Sequence, residues 1–131
     1  TRTSSSAASD VYKRQIIENV NKIGSYTNKK VEELINKHPS IGDWRNTGML
    51  GCIELVKNRK NKDPLAPFNA NSKEMEDMNK VIRKLRDEGM FTYTKWNYIF
   101  IAPPLTSSEE DIDEGIDIIS KALKVADEFC Y

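Results

Sequence analysis

Ile16, Ile17, Val20, Ile23, Thr27, Val31, Leu34 and Ile35 recur at steps of three and four residues. This spacing predicts one amphipathic helix from about Gln15 to Lys37, with Glu, Asn and Lys on its other face. His38-Pro39 ends it, because the residue before a proline avoids helical geometry. Gly24 costs a helix about 1 kcal/mol relative to alanine, so a break at that point is an open alternative. The glycines between Ile41 and Gly51 then predict a turn or bulge. Met49 to Val56 follows as an apolar strand. Lys57, Arg59, Lys60 and Lys62, followed by Asp63-Pro64 and Pro67, read as an exposed basic loop, with a phosphate-binding patch as the sharper alternative.

Asn71 with Glu74 predicts a capping box. Met75, Met78, Val81, Ile82 and Leu85 form the buried stripe of a second helix, with the methionines as core filler. Lys84 and Arg86 suit its last turn, and Gly89 suits a left-handed stop. The stretch from Gly89 to Ile116, GMFTYTKWNYIFIAPPLTSSEEDIDEGI, strings together several signals. Met90 to Thr94 and Tyr98 to Ala102 read as strands joined across Lys95-Trp96-Asn97, where asparagine suits a tight turn. Pro103 keeps Ala102 extended. Thr106 or Ser107 caps a last helix whose first turns carry Glu109, Glu110, Asp111, Asp113 and Glu114. The helix dipole explains these acids without a metal. Ile112, Ile116, Ile119, Leu123, Ala126 and Phe129 form its core stripe.

The order helix, strand, helix, strand, strand, helix predicts an α+β two-layer sandwich. Its sheet is short, three-stranded and largely antiparallel, with helices packed on one face. At 131 residues the chain suits one core. Its hydrophobic content of 38% lies below the ordinary range, so the core should be thin. Twenty basic residues balance 20 acidic ones, which argues against a nucleic-acid binder that relies on phosphate neutralisation. No apolar run approaches the roughly 18–20 residues that span a bilayer, and no secretory signal is visible. Cys52 and Cys130 have neither metal spacing nor a disulfide framework, which fits a reducing, cytoplasmic setting. The opening TRTSSSAASDVY is small, polar and aperiodic. Residues 1–14 are therefore expected to be a disordered or foreign tail, and residues 15–131 the folded domain.

Two stretches resemble the class III aminotransferases. In HPSIGDWRNTGMLGCIELVKNRKNKDP a helix ends in His-Pro, a Gly-Asp-x-Arg turn follows, and a Gly-Met-Leu strand finishes in Glu-Leu-Val. Gly89 to Leu105, with its Ala-Pro-Pro-Leu ending and the TSSEEDIDEGIDII continuation, is similar to the closing hairpin and last helix of those enzymes. The WNYIFIAPPL form is nearest the branch that handles taurine and ω-amino acids. The resemblance covers about Ile16 to Phe129. It implies the C-terminal small domain of a fold-type I enzyme that uses pyridoxal 5'-phosphate. It further implies an amino donor, a 2-oxo acid acceptor and a homodimeric parent. In that family a lysine of the large domain anchors the cofactor and an aspartate there pairs with its ring nitrogen. Neither motif is found in this chain, so the chain alone is expected to be inactive.

The resemblance also places the candidate substrate-binding residues. Some members carry an arginine two residues before Ala-Pro-Pro, where this chain has Phe100. Others carry one near the start of the hairpin, about where Tyr93 stands. A bidentate carboxylate clamp is therefore in doubt. Lys95 is the nearest cation, with a solvated turn lysine as the plainer reading. Trp96 either walls the pocket or packs beneath the hairpin. Arg45 either faces the cleft or ties its turn to a neighbouring acid. His38 reads as a charge partner at a helix end rather than a base. A free-standing α/β binding or interaction module is the competing function, and a large-domain coding region upstream of Ile16 is the feature that separates the two.

Overall fold

A computed structural model describes residues 5–131. Helix α1 spans Ser5–Lys37. Residues 5–14 continue this helix and are exposed, which corrects the disordered reading of the tail there; residues 1–4 lie outside the described residues. Once a helical nucleus exists downstream, each further residue adds one hydrogen bond, so Ala7, Ala8 and their neighbours extend it. The helix passes through Gly24 without a break. That glycine is buried, and a Cβ there would lie 2.5 Å from the Gly48 carbonyl oxygen. Gly24 lets α1 cross directly over the turn that follows the first strand.

The segment expected as a glycine-rich turn is a strand, β1 (Ile41–Thr47), with a bulge between Ile41 and Asp43. It pairs antiparallel with β2 (Leu50–Asn58) through a turn in which Gly48 adopts φ +56°. Its polar residues hid it from a search for apolar runs. Asp63–Pro64 forms a two-residue strand, β3, against β2. Asn71 and Glu74 make both halves of the expected capping box, at 3.0 and 2.8 Å. That box nucleates a turn, and regular helix α2 begins later, at Glu76–Asp87. Gly89, at φ +94°, ends it as expected.

Strand β4 is only Thr94–Lys95, and β5 is Tyr98–Ile101. Met90 to Tyr93, expected as strand, runs beside β5 with one ladder bond, Phe100 N to Tyr93 O at 3.0 Å. Helix α3 spans Glu109–Asp127. Its cap is Ser108 rather than Thr106 or Ser107. Ser108 accepts from the Asp111 N–H at 3.2 Å, and the Asp111 carboxylate accepts from the Ser108 N–H at 2.8 Å. Those backbone and hydroxyl bonds hold the Asp111 carboxyl below its usual range.

The sheet order is β1-β2-β5-β4, all antiparallel, with β3 attached to β2. The α+β two-layer architecture is as expected, with five strands in place of three. Ile53, Leu55 and Ile99 point inward against Met78, Val81 and Leu85 of α2 and Ile119, Ala122 and Leu123 of α3. The Trp44 indole donates to Asn28 of α1 at 2.6 Å, and Tyr26 of α1 donates to Asp113 of α3 at 2.7 Å. All three helices thereby cover one face. Arg59, read as part of a solvated loop, instead donates to the carbonyls of Ile35, His38 and Ile41. It satisfies acceptors at the end of α1, where a helix leaves carbonyls unpaired.

Candidate functional site

Alternation along the strands places a second set of side chains on the uncovered face. Asp43, Glu54, Tyr98 and Lys95 are successive partners across β1, β2, β5 and β4, and so share that face. Arg45, Cys52 and Phe100 form the next row. The Tyr93 ring lies 5.2 Å from that of Phe100 and extends the row onto the segment that leads into β4. The two positions where arginine was considered, Phe100 and Tyr93, thus form one aromatic surface. Tyr93 is 62% exposed.

Arg45 sits between two acids, with Nε 3.0 Å from Asp43 and Nη2 3.0 Å from Glu54. This geometry ties β1 to β2, and the guanidinium stays largely exposed. Cys52 lies beside it, and burial, the largest influence, pushes its thiol up, so the sulfur stays protonated at neutral pH.

The hairpin tip holds the other two candidates. Trp96, not asparagine, takes the left-handed turn position, at φ +50°. Asn97 is 4% exposed and works elsewhere. Its amide donates to the Leu55 carbonyl at 2.8 Å, while its own carbonyl accepts from the Leu55 N–H at 2.8 Å. This double link from β2 fixes the turn and projects the indole outward. The Lys95 ammonium lies 4.7 Å from the Trp96 ring centre. Phe68 packs against the indole at 4.5 Å between centres, and Tyr98 meets it at 6.4 Å. Phe68 is 80% exposed and was not singled out in the sequence; an aromatic after Pro67 in a polar loop was its only signal.

Lys95 and Trp96 are therefore together, and Arg45 is apart from them. Three interstrand steps separate β1 from β4, roughly 14 Å at the usual spacing. The outer face offers aromatic rings, one cation over a ring and a self-paired arginine. A groove of about 520 Å³ opens nearby, between Met90–Thr92, the Pro103-Pro104 corner and α3. No group of three or more potential metal ligands occurs among the described residues.

The class-III aminotransferase family model matches residues 6–123. A taurine–pyruvate aminotransferase of Bilophila wadsworthia is 31% identical over 119 residues, covering 90% of this chain and 26% of that protein. A leucine/methionine racemase of Thermococcus litoralis is 26% identical over 120 residues, covering 91% of this chain and 25% of that protein. Among solved structures, taurine:2-oxoglutarate aminotransferase of Bifidobacterium kashiwanohense, in complex with pyridoxal phosphate and glutamate, superposes with a TM-score of 0.80 at 25% identity. It is matched over 88% of this chain and 25% of that one. This chain thus spans about a quarter of the length of the curated relatives it matches. With a family match over most of its residues, the chain belongs to the class III aminotransferases.

Proposed function

We propose that this chain is the C-terminal small domain of a pyridoxal-phosphate-dependent aminotransferase. In this reading its outer sheet face closes over a cleft furnished by a large domain. The observation that carries it is the uncovered face itself: helices cover only one side of the sheet, and aromatic rings crowd the other. The parent reaction moves an amino group from an amine or ω-amino acid, a taurine-like donor included, to a 2-oxo acid. The cofactor, when bound to the large domain, supplies the electron sink for that exchange.

The residues of this chain bind and orient. Phe100 and Tyr93 present an apolar surface where a guanidinium would otherwise clamp a carboxylate. Lys95 offers a point charge to an anionic group, steadied over Trp96. Trp96, Phe68 and Tyr98 exclude water at the hairpin tip. Arg45 holds β1 to β2 through Asp43 and Glu54 and contributes indirectly. The parent acts as a homodimer in the cytoplasm in this reading.

Two measurements test it. The purified chain, incubated with pyridoxal phosphate and reduced with borohydride, should give only scattered substoichiometric labelling; a stoichiometric adduct on one lysine refutes the division of labour. Supplying the chain to a class III large domain should restore transamination with an ω-amino acid, and a lysine-to-methionine change at position 95 should raise KM for taurine more than it lowers kcat.

A further inference from the structure

We propose that Ser120 is an acyl-accepting nucleophile, with His38 as its base and Asp127 orienting that base, in a cleft between α1 and α3 remote from the outer sheet face. Ser120 Oγ lies 2.8 Å from His38 Nε2, and His38 Nδ1 lies 2.6 Å from Asp127 Oδ2. The second carboxylate oxygen, Oδ1, accepts from the Ser40 hydroxyl at 2.6 Å and from the Ser40 N–H at 3.2 Å. A carboxylate surrounded by donors keeps the imidazole proton on Nδ1. The Nε2 lone pair then faces the Ser120 hydroxyl. Nucleophile, base and orienting acid stand in hydrogen-bond sequence, an arrangement recognised by geometry and not by order along the chain.

Burial sharpens the arrangement. His38 is 2% exposed, so water does not compete for its ring nitrogens. Ser120 is 8% exposed and lines a cleft of about 280 Å³ with Lys30, Glu33, Lys37, Asp113 and Asp117. A volume of that size takes a small acyl group. Lys30 is drawn toward Glu33 and Asp113, at 3.9 and 3.7 Å. The Lys37 side chain makes no hydrogen bond or ion pair among the described residues and is the cation available to a developing oxyanion. Ser120 lies inside α3, where backbone N–H groups serve the helix ladder, so no backbone pair fills that role. Loss of one such donor costs about 10²–10³ in rate elsewhere, which confines the chemistry to activated esters and makes it slow.

In the step proposed, Ser120 Oγ bonds to the acyl carbon and its proton passes to His38 Nε2. The bond to the leaving phenolate breaks and the phenolate departs. His38 gives that proton to solvent; water then attacks the acyl carbon as His38 Nε2 takes its proton, the bond to Ser120 Oγ breaks, and His38 returns the proton to Oγ, releasing the acid and restoring the hydroxyl.

The test mixes the purified chain with p-nitrophenyl acetate, follows phenolate release and maps the acetylated residue by peptide mass spectrometry. A burst with acetyl on Ser120 is expected, absent from Ser120→Ala, whose helix-favouring side chain keeps the fold by circular dichroism. Asp127→Asn should slow the burst at least about tenfold by releasing the tautomer. If that variant unfolds, the Ser120→Ala comparison decides alone. A burst retained in Ser120→Ala, or acetyl found only on lysines or on His38, overturns the proposal.

Discussion

The two faces of this sheet are built from the same strands, one residue out of step. Ile53, Leu55 and Ile99 on the inner face have no exposed surface and pack under α2 and α3. Cys52, Glu54, Tyr98 and Phe100 on the outer face are half-buried and lack a helix above them. A strand of period two can thus carry stability on one parity and recognition on the other. Cys52, Glu54, Tyr98 and Phe100 therefore carry less of the folding energy than their inner neighbours.

Substitutions can break that division. Leu55→Ala should cost about 2–5 kcal/mol in urea unfolding, the usual loss for a buried leucine. Gly24→Ala should cost about 1–3 kcal/mol, because its Cβ would sit 2.5 Å from a backbone oxygen and neither chain can yield cheaply. The usual helical gain of alanine offsets only about 1 kcal/mol of it. Phe100→Ala should cost about 1 kcal/mol or less, mainly its ring contact with Tyr93. If Phe100→Ala matched Leu55→Ala in the same experiment, the contrast between the faces would fail.

The smallest effect lies in the helical layer and depends on pH. Hydrogen bonds from Lys84 and then Lys121 hold the Glu88 carboxyl below its ordinary range. A depressed carboxyl adds stability above its unfolded pKa and loses it as pH falls through the lower folded value. Glu88→Gln should therefore be less stable than the parent at neutral pH, and the two should converge on acidification below the usual carboxylate range. Circular dichroism along an acid titration checks the sign.

Much of the helical layer was legible in the sequence, since a stripe every three or four residues has few competing explanations. The Gly89 stop, the His38-Pro39 ending and the acid-led start of α3 follow from local backbone chemistry. Strand β1 was not legible, because Asp43, Arg45 and Asn46 break the apolar pattern of an edge strand with an open face. The hairpin was misread for a different reason. Asparagine has the better local preference for a left-handed turn, but the pairing of Asn97 with Leu55 is tertiary and assigns that conformation to Trp96. The clustering of Phe68 with Trp96 depends on the same tertiary placement. His38 was read as a partner at a helix end, and its partners, Asp127 and Ser120, come from the far end of the chain.

The meeting of Gly24 with Gly48 has a consequence for how this scaffold can diverge. Where two main chains touch with no side chain between them, the β1–β2 connection cannot grow without levering the long helix off the sheet. The opposite rim, around the Trp96 tip, has no such main-chain contact, only the rings of Phe68 and Tyr98 against the indole, and an insertion there leaves the long helix in place.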